Sequence, residues 1–335
     1  MTVAEVTRLS HALADVTVEE LGGGRRRVTV VPRDPSVFVP FRSCETSYPA
    51  ELVDVMLNHG APAYLCAEIV REEDELYLPF GLRNYLLSYV GEAEFERTRV
   101  LDFGCGAGAS TCVLARMFPT AEITAVGHVD DLLTIAESRV RLLGIPNVQF
   151  ARSPDRGKLP DDLGTFDFIV LSGVYEHLLP EERAAVMPSL WRELRPGGVL
   201  FVNQTPNRVY PLEAHTTSLP LVNYLPASLA YPYVLRFSSH VGRNDTWETL
   251  LRTGIRGATR GEIVRSLRAE PNEAVLLRPA LRGAADEADI WFNVSMTRNP
   301  RAVKRVVHVL FKLSRALPGG ELVPVLHLAV RKGTV

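Results

Sequence analysis

Two histidines of this chain stand where an imidazole could take a proton from a bound molecule. His177 follows the apolar run 166–171, and His215 follows a second apolar run, 199–202. Imidazole titrates near neutral pH, so histidine is the side chain best suited to act as a general base there. If the two runs are adjacent parallel strands, both histidines point into one cleft at the strands' carboxyl ends. Each histidine could equally fix its own loop through a backbone hydrogen bond.

A glycine-rich segment, residues 99–118 (RVLDFGCGAGASTCVLARMF), carries the second chemical signal. A short apolar run, three alternate glycines and a helix-periodic run predict a strand, a tight turn and a helix. Glycine permits positive φ and lets a ligand approach the backbone, and a helix N-terminus favours electron-rich atoms. The spacing Gly104-x-Gly106-x-x-Ala109 fits the loose dinucleotide fingerprint, so a nicotinamide-dependent oxidoreductase is one hypothesis. A tight turn without a ligand is the plain alternative.

Composition excludes several classes of function. The formal net charge of −2 over 335 residues gives no electrostatic case for a nucleic-acid partner. The four cysteines form no C-x-x-C pair, so we expect reduced thiols in a cytoplasmic protein rather than a zinc site. The N-terminus does not resemble a signal peptide, and no apolar run is long enough for stable membrane insertion.

One basic, amphipathic segment, residues 301–317, has two interpretations. It could be a helix packed on a sheet with a solvated basic face, or a helix attached to a membrane surface. The first interpretation is the more common one, and we adopt it as the prediction.

Residues 99–203 alternate between strand-like and helix-like patterns with short connections. Such alternation predicts an α/β fold with a doubly wound, mainly parallel sheet. The predicted strands are 99–103, 122–126, 148–151, 166–171 and 199–202, and the predicted helices after the turn include 130–143 and 181–194.

Four landmarks in a fixed order make the chain resemble the class I S-adenosylmethionine (SAM) methyltransferases. They are 102–108 (DFGCGAG), 165–170 (TFDFIV), 175–177 (YEH) and 194–198 (LRPGG). The resemblance implies a Rossmann-like, seven-stranded sheet with an antiparallel last strand, for which 323–331 is the candidate. It also implies an enzyme that uses SAM and releases S-adenosylhomocysteine.

The activity that the resemblance implies is methyl transfer to a small-molecule acceptor. A hydroxyl oxygen is the preferred acceptor atom, with His177 or His215 as the general base. Nitrogen or carbon acceptors remain alternatives, as does a methyltransferase-like binding protein without catalysis.

The resemblance also assigns candidate contacts. The strand-two acid that usually binds the ribose falls at Gly127, so His128, Asp130 or Asp131 would have to substitute for it. No metal is expected, because the preceding acidic ligand of related metal-using enzymes would fall near residues 172–173. The implied cofactor contacts are Asp102, Gly104, Cys105, Gly106, Gly108, His128, Asp130, Asp155 and Ser172, and the candidate substrate contacts are Tyr175, Tyr210, Glu213 and Tyr224.

The flanks of this core are predicted from pattern alone. Residues 1–98 are expected to form an N-terminal helical cap or lid, with one short strand at 28–31. Residues 99–203 form the SAM-binding core. Residues 204–335 hold a proline- and aromatic-rich insertion after strand five, where a long loop can shape a substrate site, and then complete the sheet.

Overall fold

The computed structural model of the protein describes residues 5–268, 273–294, 301–316 and 320–334. The chain forms two compact units that do not follow the three predicted segments. Unit 1 comprises 1–83 with 105–152, and unit 2 comprises 84–104 with 153–335.

Unit 1 begins with a four-stranded antiparallel sheet where a helical cap was predicted. Alternate valines of the second and third strands are buried against the two helices that follow, because side chains alternate across a strand. The strand at 28–31 is confirmed, but the prediction of a purely helical segment is wrong for residues 6–46. The elements are β1 (Val6–Ser10), β2 (Ala14–Gly22), β3 (Arg25–Pro32), β4 (Ser43–Thr46), α1 (Ala50–His59) and α2 (Leu65–Glu73).

The strands of the central sheet confirm the predicted fold class. The list in chain order is β5 (Arg99–Phe103), β6 (Glu122–Gly127), β7 (Val148–Arg152), β8 (Phe166–Ser172), β9 (Leu194–Pro206), β12 (Ala274–Leu276) and β13 (Val325–Lys332). Their order in the sheet is β12-β13-β9-β8-β5-β6-β7. Strand β8 pairs in parallel with β5 and β9, whereas β13 pairs antiparallel with β9, as predicted for the last strand.

Helices and short turns connect these strands. Unit 1 contains α4 (Ala109–Met117) and α5 (Asp130–Leu142). The others are α3 (Leu78–Leu87), α6 (Pro180–Glu193), α7 (Ala227–Phe237), α8 (Trp247–Arg252), α9 (Arg260–Leu267), α10 (Glu287–Val294) and α11 (Arg301–Ser314), with a short ladder β10 (Leu212–Glu213) and β11 (Leu219–Pro220). Within the ranges described above, no helix has the length and apolar character needed to cross a membrane.

The core of unit 2 fixes the positions at which its strands end. Strands β8 and β9 are almost entirely buried, and Phe95 stacks on Phe168 with 4.1 Å between ring centroids. Burial on both faces fixes the register of these strands, and with it the loops at their carboxyl ends. The 3-10 turn Tyr175–His177 and the insertion that contains α7 and α8 follow those ends.

Candidate functional site

The three glycines of the turn after β5 are each required for a different reason. All have positive φ: 79° at Gly104, 52° at Gly106 and 83° at Gly108. A Cβ at Gly104 would lie 2.7 Å from a methyl group of Val174, and one at Gly108 would lie 2.8 Å from the Cβ of Ala136. A Cβ at Gly106 would meet nothing within 4 Å. The backbone at Gly106 therefore faces open space that a ligand can enter.

The end of β6 has no room for the acid that the sequence lacks. A Cβ at Gly127 would lie 2.8 Å from Leu133 and 3.2 Å from the sulfur of Cys105. Cys105 is itself buried, and its N–H donates to the carbonyl of Val126 at 3.0 Å. Dinucleotide enzymes also place a carboxylate at this strand end, so the nicotinamide hypothesis gains no support here.

The proposed substitutes for that acid lie in the next turn of unit 1. His128 is half-buried and directly follows β6. Asp130 opens α5, and its carboxylate pairs with the guanidinium of Arg152 at 2.7 Å. An exposed pair of this kind is weak and can exchange for a ligand hydroxyl.

Two further predicted cofactor contacts belong to unit 2 and differ in character. Asp155 accepts the N–H of Gly157 at 2.8 Å and pairs with Lys158 at 3.0 Å, which closes a tight loop. Ser172 is 7% exposed at the end of β8, and its hydroxyl has no hydrogen-bond partner among the described residues. Asn203, its register partner on β9, is fully buried, and both polar atoms of its amide likewise lack a described partner. Asn203 was missed, because a lone asparagine inside an apolar strand carries no motif.

Asp102 lies in β5 and is 1% exposed, as the resemblance implied for a carboxylate beside the glycine turn. A carboxylate so deeply buried must be hydrogen-bonded to remain charged. It is therefore a fixed polar group at the start of the turn.

Both candidate bases of unit 2 come together with a buried carboxylate. One ligand-type atom each from Glu176, His177 and His215 lies within 4.8 Å of the others. The two imidazole centroids are 5.8 Å apart, and Nε2 of His177 lies 3.9 Å from Oε1 of Glu176. The structure thus confirms that the loops after β8 and β9 bring these side chains to one place.

The orientation of His177 is set by the insertion. Its Nδ1 lies 2.8 Å from the carbonyl oxygen of Arg252, the last residue of α8. A carbonyl only accepts, so Nδ1 carries the proton and Nε2 of the neutral ring has a free lone pair. The guanidinium of Arg252 pairs with both carboxylate oxygens of Glu182 at the start of α6, which holds α8 in position.

Contacts from the turn after α8 and from strand β9 fix the other two groups. Gly254 has φ of 92°, and a Cβ there would lie 2.7 Å from the ring of His215. The hydroxyl of Thr205 donates to Oε2 of Glu176 at 3.1 Å, and Glu176 is 1% exposed. Neither Arg252, Gly254 nor Thr205 was predicted, because their relation to the histidines exists only after folding.

Both imidazoles are neutral at physiological pH. Loss of hydration is the main cause that lowers the pKa of His177 below the ordinary 6.5, partly opposed by its bond to the Arg252 carbonyl. Loss of hydration also lowers the pKa of His215, opposed by the charge of Glu213. Neutral imidazole is the form that accepts a proton or binds a metal.

The cluster could also hold a divalent cation after small side-chain movements. A carboxylate and two imidazoles are a common ligand set, and each ring or carboxylate here has a supporting hydrogen bond or packing contact. The prediction of no metal therefore stays a prediction.

The four predicted substrate contacts lie in different surroundings. The carboxylate of Glu213 accepts the N–H groups of residues 215–217, so it shapes the loop that carries His215. Tyr175 is buried under the guanidinium of Arg183, at 4.6 Å. Tyr210 packs edge-on against Phe311, and Tyr224 is exposed with its hydroxyl bonded to the carbonyl of Val209.

A small pocket of about 110 Å³ opens beside His215. Its lining is Pro206, Asn207, Leu212, Glu213, Ala214, His215, Asn223, Pro324 and Val325. The predicted contacts His215 and Glu213 thus share a pocket, whereas His177 and the three tyrosines are not part of its lining.

Comparisons with known proteins agree with this geometry. A family model described as a methyltransferase domain matches residues 100–198. An uncharacterised protein of Synechococcus sp. is 38% identical over 32% of this chain and 26% of its own length. A trans-aconitate 2-methyltransferase of Variovorax paradoxus is 33% identical over 35% of this chain and 42% of its own length. The solved structure of PKMT2 from Rickettsia typhi aligns with a TM-score of 0.46 at 15% identity, over 78% of this chain and 53% of that one.

The strand order, the glycine turn and the matched segment define the class. Residues 100–198 are thus similar to the class I SAM-dependent methyltransferase domains, whose cofactor is SAM. The chain spans less than half the length of the two curated relatives named above.

Proposed function

We propose that this protein is a methyltransferase that moves the methyl group of SAM to a hydroxyl oxygen of a small molecule, with His177 as general base. The observation that carries the proposal is the bond from Nδ1 of His177 to the Arg252 carbonyl, which leaves Nε2 free to accept a proton. The base is held at the cluster with Glu176 and His215, in the loop whose first residue, Val174, packs on Gly104 of the glycine turn.

The residues of the turn fit the cofactor. The open space at the backbone of Gly106 suits a ligand that approaches the turn closely. When bound, SAM supplies an activated methyl group on a sulfonium, so the protein need not activate the donor. The chain's own task is to orient the acceptor and receive its proton.

Among the two histidines, His177 is the better base. Its tautomer is fixed by the carbonyl, whereas the ring of His215 is fixed by packing on Gly254. The acceptor's hydroxyl proton passes to Nε2 of His177 as the oxygen takes the methyl group. Glu176 then stabilises the imidazolium from 3.9 Å, as a buried carboxylate does for a protonated histidine.

A small acceptor is supported by the match to an enzyme that, by its name, acts on trans-aconitate. The pocket of about 110 Å³ beside His215 is also of a size for part of a small molecule rather than a macromolecule.

The cofactor assignment is tested by calorimetry with S-adenosylhomocysteine on the wild type and on Gly106→Val. We expect the wild type to bind and the variant to lose on the order of 100-fold in affinity, because its side chain fills the ligand's space. Gly144→Val is the matched control: its φ is 64°, its Cβ would also meet nothing within 4 Å, and we expect wild-type binding. Absence of binding by the wild type, or equal losses in both variants, would contradict the assignment.

The acceptor is tested by methyl transfer from labelled SAM to a panel of hydroxyl, amine and carbon acceptors. We expect hydroxyl compounds to be methylated, with the rate unchanged by a chelator. Turnover of amines alone would contradict the proposed acceptor atom, and cofactor binding without any turnover would favour a binding protein.

A further inference from the structure

Helix α11 presents an apolar face to solvent. Five of its side chains are between 45% and 67% exposed, although all are valine or leucine. They recur at helical spacing along one side, so they form a continuous stripe. The residues of this stripe are Val303, Val306, Val309, Leu310 and Leu313.

The helix is anchored through a different side. Phe311 and Ser314 are buried, and Phe311 packs edge-on against Trp291 at 4.8 Å and Tyr210 at 6.2 Å. The predicted helix is confirmed, and Arg301 and Arg305 are exposed as expected for a solvated basic face. The apolar side is packed only in part, which the prediction did not anticipate. Only the part of the apolar side around Phe311 is packed, and the stripe is left uncovered within the described ranges.

The charged side chains of α11 are all basic. Residues 301–314 contain no acid, and two arginines, Arg301 and Arg305, are exposed. Lys312 pairs with Asp289 at 2.7 Å, on the edge that faces α10. Arg305 precedes Val309 by four residues, so its guanidinium borders the stripe.

We propose that α11 lies flat on a membrane surface that contains anionic lipids, with the stripe in the apolar layer and Arg301 and Arg305 at the headgroups. A helix of this length is about 21 Å long, which suits lying in the interface rather than crossing it. A straight, convex ridge of apolar side chains fits a fluid bilayer, and basic residues beside it match the negative surface potential of such a bilayer. A second copy of the chain is the competing occupant, and the size-exclusion measurement below distinguishes it.

The position of α11 relates the proposed membrane-binding surface to the candidate site. Its buried edge contacts Tyr210, which belongs to the same loop after β9 as His215. Docking at a lipid surface would therefore bring that loop close to molecules held in or on the bilayer. The inference itself stands on α11 alone and does not depend on the proposed activity.

The test is co-sedimentation of the full chain with vesicles of phosphatidylcholine that contain roughly 30% phosphatidylglycerol. We expect binding that is on the order of tenfold weaker to pure phosphatidylcholine vesicles and that falls with added salt. The double variant Val306→Glu/Leu310→Glu should lose on the order of tenfold or more in affinity. Arg301→Gln/Arg305→Gln should lose less, and only on the anionic vesicles.

A matched control carries two glutamates at other exposed apolar positions. Leu13 and Val31 are 65% and 57% exposed, close to the 60% and 58% of Val306 and Leu310. We expect Leu13→Glu/Val31→Glu to bind vesicles like the wild type, and both double variants to keep the wild-type melting temperature. Failure of the wild type to bind vesicles, equal binding to both lipid compositions, or wild-type binding by Val306→Glu/Leu310→Glu would overturn the proposal. A wild-type dimer in size-exclusion chromatography that Val306→Glu/Leu310→Glu dissociates would overturn it too, by assigning the face to a second copy.

Discussion

Each unit of the molecule contains a deeply buried glutamate, and the two have different partners. Glu72 of unit 1 is 1% exposed; its carboxylate accepts the hydroxyl of Tyr48 and forms an ion pair with Arg116. Arg139, fully buried, lies over the ring of Tyr48 at 5.7 Å. Glu176 of unit 2 is equally buried; its carboxylate accepts the hydroxyl of Thr205 and lies beside the imidazoles of His177 and His215.

This difference in partners indicates that Glu72 stabilises the fold, whereas Glu176 lies beside groups that can take part in a reaction. Arginine stays charged at any ordinary pH, and burial raises the pKa of Tyr48 so that it stays a donor. Tyr48 and the two arginines of the unit 1 network therefore keep their protons at ordinary pH. Burial lowers the pKa values of both histidines beside Glu176, so their rings are neutral before a reaction and can take up a proton during it.

The largest effect is expected from His177→Gln in unit 2. Glutamine can still donate to the Arg252 carbonyl but cannot accept the acceptor's proton, so methyl transfer should fall by about 10²- to 10⁴-fold. The melting temperature and the affinity for S-adenosylhomocysteine should stay near wild type. The control is His59→Gln, which removes an exposed pair with Asp131. A rate within twofold of wild type would remove His177 from the mechanism.

A smaller effect, on stability alone, is expected from Glu72→Gln in unit 1. The substitution removes the ion pair of the buried Glu72 carboxylate with Arg116 and one of several charges that act on the buried Arg139, and urea unfolding should show a loss of about 3 kcal/mol. That figure is at the low end because the side chain of Arg116 is 47% exposed and can turn to water. Glu51→Gln, at a carboxylate 61% exposed that pairs with Arg141, is the control and should cost under about 1 kcal/mol. A lower rate per folded molecule in Glu72→Gln would break the contrast between the two networks.

The smallest effect is a displaced pH profile. Because the pKa of His177 is lowered from 6.5, its ring is mostly neutral at pH 6.5, and the acid limb of kcat/KM should lie below that value. The unfolded chain binds this proton more readily, so stability also falls as pH drops below 6.5, and circular dichroism must accompany each rate. Since the charge of His215 opposes protonation of His177, His215→Gln should move the limb upward. An acid limb above pH 7 would contradict a desolvated base.

Sequence patterns predicted the structural elements whose signals lie within a few consecutive residues. The glycine turn, the buried strand at 166–171 and the last strand at 323–331 all have signatures within a few residues, and the central sheet follows from their order. The N-terminal sheet was missed although Val16 and Val18 alternate with polar residues, since its strands are stabilised by pairing with one another and by packing against α1 and α2.

The candidate site was predicted by residue type but not by contact. His177 and His215 were named from their places after two strands, and the structure brings them together. The partner that selects the tautomer of His177 lies 75 residues further along the chain, at the end of α8. The pattern of residues 245–252 predicts that helix, but nothing in it relates the helix to His177. The exposed face of α11 could not be predicted either, because an amphipathic pattern shows that a helix has two sides but not which side is covered.

The partner of His177 is a main-chain carbonyl, and that has a consequence for mutational surveys. Replacing Arg252 by any other amino acid keeps the carbonyl oxygen in the chain. An alanine scan would therefore not detect the hydrogen bond that fixes the tautomer of His177. The side chain of Arg252 would register only indirectly, through its ion pair with Glu182. Only a backbone replacement, such as an ester in place of the amide that follows residue 252, would weaken that acceptor and expose its contribution.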